Sequence, residues 1–159
     1  MKPFFIGNIE IKTPIIQGGM GVGISLSGLA SAVANEGGIG VISCAGLGLL
    51  YPKGKGDYTE KCICGLKEEI RKARQKTKGI IGVNIMVVTR RYEDYVKAAV
   101  AAGVDCIVSG AGLPMNLPEI VHKAEEVLAA SGIRRATKLV PIVSTRKALD
   151  VIIKYWKKK

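Results

Sequence analysis

The sequence predicts an α/β fold of repeated βα units with parallel strands. Three observations support this prediction: short apolar runs alternate with amphipathic segments, the runs stop at serines, and the segments stop at glycines. The stopping residues are Ser43, Ser109 and Ser144 for the runs, and Gly37, Gly103 and Gly132 for the segments. The alternation gives about five βα units and leaves no room for a hairpin-rich sheet.

The first unit begins with the apolar run Thr13–Gln17. Behind this run, apolar residues recur at helical spacing between positions 26 and 33, which predicts a helix. Ser25 is its predicted N-cap, and Gly37 is expected to stop it. The next predicted strand covers residues 39–43.

The middle of the chain is less regular. Residues 45–61 contain several glycines, a proline and charges without a period, so they are predicted to form one long loop. A basic helix is expected from about Leu66 to Lys76. The near-continuous apolar run from Gly79 to Val88 is typical of a parallel strand buried on both faces, and Asn84 interrupts it.

The last third repeats the pattern with clearer boundaries. Its predicted elements are a helix over 92–102, a strand over 105–109, a helix over 117–130, a strand over 138–143 and a last helix. Asn116, with Glu119 three residues later, predicts a capping box for the second of these helices. Ser144 and Thr145 are expected to cap the last one.

Two architectures fit these units: an open doubly wound sheet, or most of the first five units of a (β/α)₈ barrel. The chain has 159 residues, 48% of them hydrophobic, which suits a single domain with a real core. Since a complete barrel takes about 250 residues, length alone favours the open sheet.

The charge of the chain is strongly positive, at +11, and concentrated at one end. Residues 134–159 carry nine bases and one acid. Such an end could attract nucleic acid, but no base-stacking aromatics are interleaved with it, so a solvated tail is preferred and no nucleic-acid partner is expected.

Cellular location and thiol chemistry follow from the remaining composition. No apolar run approaches the roughly 20 residues that span a bilayer, and the N-terminal apolar stretch is too short for a signal peptide, so a cytoplasmic protein without membrane contact is expected. The four cysteines are expected to be free thiols. Cys62 and Cys64 lack the spacing and partners of a zinc site, and no metal is expected.

The glycine turn, Gln17–Gly23, follows the first apolar run and opens a helix. Glycines there let backbone N–H groups approach a bound ligand, because no Cβ intervenes. The glycines fall at Gly19, Gly21 and Gly23, which is not the G-x-G-x-x-G spacing, and the next strand ends in Ser43-Cys44 rather than an acid. A Rossmann-type NAD site is therefore disfavoured.

Four stretches together resemble one enzyme family. They are Thr13-Pro14-Ile15-Ile16-Gln17-Gly18-Gly19-Met20-Gly21, Ala34-Asn35-Glu36-Gly37-Gly38-Ile39-Gly40-Val41-Ile42-Ser43, Gly82-Val83-Asn84-Ile85-Met86 and Ser109-Gly110-Ala111-Gly112-Leu113-Pro114. In this order they resemble the nitronate monooxygenases, formerly called 2-nitropropane dioxygenases, and are similar to the FMN-dependent enoyl-acyl-carrier-protein reductases. The resemblance covers nearly all of residues 10–156. It implies an FMN-containing (β/α)₈ TIM barrel, of which residues 1–159 would form a single incomplete domain, and it overrides the argument from length.

The resemblance implies a flavin site built from the glycine turn and a strand. The backbone of Gly18, Gly19 and Met20 would lie against the flavin ring, and Asn84 would hydrogen-bond its polar edge. An amide within an apolar run needs a partner, because leaving it unpaired costs a few kcal/mol. A ligand at the mouth of the barrel supplies one; a structural amide that bridges neighbouring strand ends is the alternative.

Later strand ends would complete the mouth of the barrel. Ser109, Gly110 and Ser144 would line it, or would act only as capping and turn residues. The Gly-Gly-His motif that carries the family's catalytic histidine is absent from the sequence. The single histidine, His122, falls within a helix and is expected to be structural or solvated. No catalytic residue is therefore assigned, and the chain is expected to be a fragment of an enzyme, a truncated form of one, or a chain whose remainder comes from elsewhere.

The resemblance implies oxidation of a small nitronate by O₂, through FMN, to a carbonyl compound and nitrite. The alternative enzymatic reading is NAD(P)H-dependent reduction of an enoyl thioester through the same cofactor. A non-catalytic alternative is an incomplete barrel whose exposed strand edges, at the first and fifth strands, pair with another copy.

Overall fold

A computed structural model describes residues 2–157 of the chain, and a parallel sheet lies at its centre. The elements in chain order are β1 (Phe4–Ile6), β2 (Ile9–Ile11), α1 (Ser27–Asn35), β3 (Ile39–Ser43), α2 (Leu47–Leu50), α3 (Tyr58–Lys76), β4 (Ile80–Met86), α4 (Tyr92–Ala102), β5 (Cys106–Gly110), α5 (Leu117–Ala130), β6 (Lys138–Pro141) and α6 (Arg146–Trp156). Among residues 2–157, no helix combines the length and apolar character that a bilayer crossing requires.

The strand order decides between the two architectures. The four strands of the sheet are all parallel and lie in the order β3-β4-β5-β6, so the sheet order follows the chain order without a reversal. A doubly wound sheet reverses at a switch point, whereas a (β/α)₈ barrel adds each strand beside the last. Ile16 forms a parallel bridge to Ile39, so the segment expected as the first strand lies on the outer side of β3. The predicted α/β fold with barrel-type units is confirmed.

Alternate residues of the strands face two different cores. Ile107 of β5 packs in the large core between sheet and helices, whereas Cys106 packs in a smaller core on the opposite, inner face. The same alternation along β4 turns Ile81 and Val83 towards the helices. Asn84, next in line after Val83, therefore lies on the inner face.

A hairpin packs against the inner core beside the start of β3. β1 and β2 pair in antiparallel fashion, and Ile11 of β2 is fully buried beside Ile39. This hairpin is absent from the elements predicted above. Its local signature is the two-residue turn Gly7-Asn8, in which Gly7 takes a positive φ of 60°.

The segment expected to be one loop over residues 45–61 is partly helical, which corrects that prediction. A single helical turn, α2, lies within it, and α3 begins at Tyr58 rather than near Leu66. The cause is a capping box. The Glu60 amide donates to Asp57 Oδ1 at 2.9 Å, and the Asp57 amide donates to Glu60 Oε2 at 2.8 Å.

Of the predicted helix caps, Ser25 is wrong, Asn116 is right in position but makes no capping hydrogen bond, and Thr145 is confirmed. Leu26, not Ser25, is the N-cap of α1, and its side chain makes no capping hydrogen bond. Asn116 is at the N-cap of α5, but its ψ of 2° lies outside the extended region that a side-chain cap requires. Thr145 caps α6 as expected, because its Oγ1 accepts from the Ala148 amide at 3.1 Å.

Candidate functional site

The glycine turn lies beside the carboxyl ends of the parallel strands. Gln17 docks the start of the turn on β3: its Nε2 donates to the Val41 carbonyl at 3.0 Å, and its Oε1 accepts from the Val41 amide at 3.3 Å. Further along, the Val22 amide donates to the Ala45 carbonyl at 2.9 Å, just past the end of β3. The turn is thus fixed at both ends against the strand that follows it in the sheet.

Gly19 brings the turn into contact with Asn84. A Cβ placed on Gly19 would stand 2.4 Å from the Asn84 Cβ and 2.9 Å from its Cγ, so only glycine fits there. A Cβ on Gly18, in contrast, would meet nothing within 4 Å. The requirement for glycine at position 19 therefore comes from the protein's own side chain, whereas Gly18 has open space beside it. We call Gly18–Met20 together with Asn84 the strand-end site.

Ser25 clamps the glycine turn. Its Oγ accepts from the Met20 amide at 2.9 Å and donates to the Gly18 carbonyl at 3.0 Å, which crosses the turn. Its own carbonyl accepts from the Ser43 amide at the end of β3 at 2.9 Å. Ser25 is almost fully buried. From the sequence, this serine was predicted only as a helix cap. A serine before a helix can either cap the helix or bridge the preceding turn, and the sequence does not distinguish the two.

Within residues 2–157, the Asn84 side chain makes one hydrogen bond. Its Nδ2 donates to the Val108 carbonyl on β5 at 3.3 Å, so the side chain bridges neighbouring strands as the structural alternative expected. Within residues 2–157, no donor to its Oδ1 is found. The amide oxygen is therefore the atom of Asn84 that can accept a hydrogen bond from a ligand at the strand ends. Met20, on the turn beside it, is 61% exposed.

Ser109 does not line the strand ends, which corrects its expected place. It follows Ile107 by two residues and is fully buried on the helix side of β5, where its Oγ donates to the Ile85 carbonyl at 2.9 Å. The Tyr92 hydroxyl of α4 lies 2.7 Å from the same Oγ. Burial raises the pKa of Tyr92, so its hydroxyl remains a neutral donor to Ser109.

Gly110 and Ser144 lie at strand ends but have different surroundings. A Cβ on Gly110 would stand 2.8 Å from the Ile142 Cβ, so this glycine serves the packing of Ile142. The Gly110 carbonyl accepts from the Val87 amide at 2.8 Å. Ser144 is exposed and precedes the capping residue Thr145. Ligand contact by either residue stays a prediction.

His122 lies on the exposed surface of α5. Its Nε2 is 3.3 Å from Glu126 Oε1, one helical turn further on, and its side chain is 74% exposed. The imidazole therefore belongs to the solvent face of a helix rather than to a strand end, in agreement with a solvated role.

The buried thiols are poor nucleophiles. All four cysteines are free, and burial raises the pKa of Cys44 and of Cys106 to about 12. Because the thiolate is the reactive form, neither side chain can act as a nucleophile near neutral pH. The chemistry available at the strand ends is thus hydrogen bonding and backbone contact.

Comparison with known proteins extends these observations. Residues 2–110, more than half of the chain, match the family described as nitronate monooxygenase. The structure of FabK from Thermotoga maritima is similar, with 27% identity and a TM-score of 0.66 over 91% of this chain and 38% of that protein. Nitroalkane oxidase from Streptomyces ansochromogenes shares the fold at 16% identity and a TM-score of 0.63, over 87% of this chain and 42% of that protein.

The chain thus spans about two fifths of the length of these solved structures. No curated protein matches the sequence. The family match covers the glycine turn, the strand that carries Asn84 and the end of β5. The chain belongs to the nitronate monooxygenase family, a family of oxidoreductases.

Proposed function

We propose that the strand-end site holds the ring of FMN, and that the chain belongs to an oxidoreductase that converts alkyl nitronates and O₂ to carbonyl compounds and nitrite. The contact between Gly19 and Asn84 carries this proposal. The glycine turn and the amide within the strand are separate features of the sequence, and the fold brings them together at the carboxyl ends of parallel strands. That edge is where barrel enzymes place their ligands.

The residues present fit the ring of a flavin. Gly18 offers a backbone surface with open space beside it, and Ser25 holds the carbonyl and amide on either side of that surface in place. Asn84 offers an acceptor at the adjacent strand end. When bound, FMN would supply the transfer of electrons from the nitronate to O₂.

The phosphate of FMN would need a different anchor. Helix N-termini commonly bind phosphate through free backbone amides. At the start of α1, however, the Ser27 amide already donates to the Glu69 carboxylate at 2.8 Å. A negative charge thus occupies the start of α1, the helix that follows the glycine turn in the chain. We therefore expect the strand-end site to bind the ring and to gain little from the phosphate.

A flavin titration tests this proposal. The fluorescence of FMN and of riboflavin, which lacks the phosphate, should fall when either flavin binds to the chain. The two flavins should bind with equal, weak affinities. Gly18→Val should weaken both by at least about tenfold, or about 1.4 kcal/mol. Gly28→Val is the matched control, because Gly28 on α1 also has nothing within 4 Å of its Cβ position. Equal affinities in parent and Gly18→Val would refute ring contact at the turn.

Catalysis by the chain alone is not expected. His122 is on the face of a helix, and no histidine lies at a strand end in the part of the chain described. The 159 residues should therefore not retain FMN through purification, and should consume O₂ with propyl-2-nitronate only at the rate of free flavin.

A second candidate reaction is the reduction of an enoyl thioester by NAD(P)H through the same flavin. The observation that favours it is the excess of exposed bases among residues 134–157, which would attract an acidic carrier protein. Salt-sensitive binding of an acyl-carrier protein would favour this candidate. Absence of such binding would favour the nitronate reaction.

We further propose that the open edge of the sheet associates with a second copy of the chain. Within residues 2–157, no strand pairs with the outer side of β6, and the neighbouring Ile142 is 52% exposed. Unpaired strand edges are templates for pairing with other chains. Sedimentation should show a dimer whose fraction rises with concentration; a monomer at all concentrations would refute the proposal.

A further inference from the structure

Glu69 is a carboxylate buried inside the helical layer. It lies on α3 and is 3% exposed. One oxygen, Oε2, accepts from the Ser27 amide at the start of α1 at 2.8 Å. The other, Oε1, accepts from the Tyr51 hydroxyl and from Lys72 Nζ, the latter at 3.1 Å. The two oxygens therefore hold two separate segments of the chain.

The charge on Glu69 is stabilised by these donors. Burial alone would raise its pKa, but hydrogen bonds from Tyr51, Ser27 and Lys72 outweigh burial and lower the pKa to about 2. A buried carboxylate persists only where donors satisfy it, since an unpaired buried charge is very unfavourable. The donors and the charge thus form one hydrogen-bonded unit.

The first segment held by Glu69 leads directly into the glycine turn. Ser27 is two residues after Ser25, whose hydroxyl bonds the Gly18 carbonyl and the Met20 amide. Fixing the Ser27 amide therefore fixes the backbone from which the clamp on the turn extends. Hydrogen exchange of the Met20 amide therefore measures how firmly the α1 side of the turn is held.

The second segment held by Glu69 packs against the other side of the turn. Tyr51 ends α2, which begins just after Ala45 and Gly46. The Ala45 carbonyl accepts from the Val22 amide at 2.9 Å, and a Cβ on Gly21 would stand 2.9 Å from the Ala45 Cβ. Hydrogen exchange of the Val22 amide therefore measures how firmly the α2 side of the turn is held.

We propose that Glu69 is a positioning residue for the glycine turn, holding the α1 side through Ser27 and the α2 side through Tyr51. The expected effect of Glu69 on flavin binding rests on the proposed function. Its effect on the geometry of the turn does not. The hydrogen bonds of Glu69 go to Ser27, Tyr51 and Lys72, none of which belongs to the turn or to the strand-end site. Glu69 acts through the two segments between which the turn is held.

Amide hydrogen exchange on the ligand-free chain tests the proposal. Relative to the amides of β4 and β5, exchange of the Met20 and Val22 amides should accelerate by at least about tenfold in Glu69→Ala. Tyr51→Phe, which removes one hydroxyl, should accelerate Val22 more than Met20. Glu68→Gln is the matched control, because Glu68 is the preceding residue on α3 and its carboxylate pairs with exposed Arg71, at 2.7 Å.

The outcomes separate positioning from general stability. If the turn amides and the strand amides accelerate by the same factor in Glu69→Ala, Glu69 is only a stabilising residue and the proposal is wrong. If Glu69→Ala does not fold, Glu69→Gln and Tyr51→Phe decide, and equal acceleration of turn and strand amides in both overturns it. A riboflavin titration of the same variants should show weaker binding. No binding by the parent would refute the proposed function while the exchange pattern still decides the role of Glu69.

Discussion

Alanine at Gly19 should destabilise the fold, whereas alanine at its neighbour Gly18 should not. The two glycines are adjacent in the turn, and neither has a φ in the left-handed region, so a Cβ adds no backbone strain at either position. They differ in what the Cβ would meet. At position 19 it meets the Asn84 Cβ at 2.4 Å, and at position 18 it meets nothing within 4 Å.

The magnitude follows from these distances. Carbon atoms in contact normally lie about 3.5–4.0 Å apart, so Asn84 or the turn must move by about 1 Å to admit a methyl group at position 19. Overpacking of this kind costs about 1–3 kcal/mol. Gly18→Ala removes conformational freedom from the unfolded chain and should stabilise by about 0.4–1 kcal/mol.

Urea denaturation followed by circular dichroism measures both variants. The expected result is a lower free energy of unfolding for Gly19→Ala and an unchanged or slightly higher one for Gly18→Ala. Asn84→Gly combined with Gly19→Ala should cost less than the sum of the two single changes, because Asn84→Gly removes the Cβ that the new methyl group meets. Equal stability of the two single variants would show that the contact between the turn and Asn84 does not exist, and with it the argument for a site there would fail.

Four further results are expected. Asn84→Ala should weaken riboflavin binding by more than it lowers the free energy of unfolding, since the hydrogen bond to Val108 is worth only about 0.5–1.5 kcal/mol. A lower melting temperature with an unchanged riboflavin affinity would show that Asn84 is purely structural. The Glu69 carboxylate, whose pKa is lowered from 4.5 to about 2, should contribute stability above pH 4.5 that is lost as the pH falls towards 2, on the order of 3 kcal/mol; a Glu69→Gln variant with the same acid profile would contradict this. His122→Ala should leave O₂ consumption with propyl-2-nitronate and FMN at the parent rate, and turnover lost in this variant would make His122 the base. Gly40→Ala should destabilise by about 3 kcal/mol or more in urea denaturation, because its Cβ would stand 1.8 Å from the Ala30 carbonyl oxygen; parent-like stability would refute the close packing of α1 on β3.

The repeated units could be predicted because their signals are long. Helix α4 matches its predicted bounds, and β4 falls within the predicted run, since an amphipathic period and a continuous apolar run each extend over several residues. The hairpin β1–β2 was not predicted because each strand has three residues, too few to show an alternation of apolar and polar side chains. The choice of the barrel over the open sheet came from the family resemblance, and the order of the strands confirms it; no local pattern contains that order.

The site was predicted in part for similar reasons. A run that is buried on both faces does not reveal which residues point inward, so both Asn84 and Ser109 were expected at the mouth of the barrel, and only the structure places Ser109 on the helix side. Gln17 and Ser25, which dock and clamp the turn, are polar residues beside glycines and carry no distinctive spacing. Glu69 falls within a highly charged helix, where a buried acid resembles its solvated neighbours.

The central claim is that the glycine turn and Asn84 together bind a flavin ring, and chemical-shift mapping tests it most directly. A titration of ¹⁵N-labelled chain with riboflavin should move the backbone resonances of Gly18, Gly19 and Met20 and the side-chain amide of Asn84. The groove at the opposite end of the strands, lined by Lys12, Lys76 and Lys78, should not respond. Shifts confined to that groove, or no shifts up to the solubility limit of riboflavin, would contradict the account.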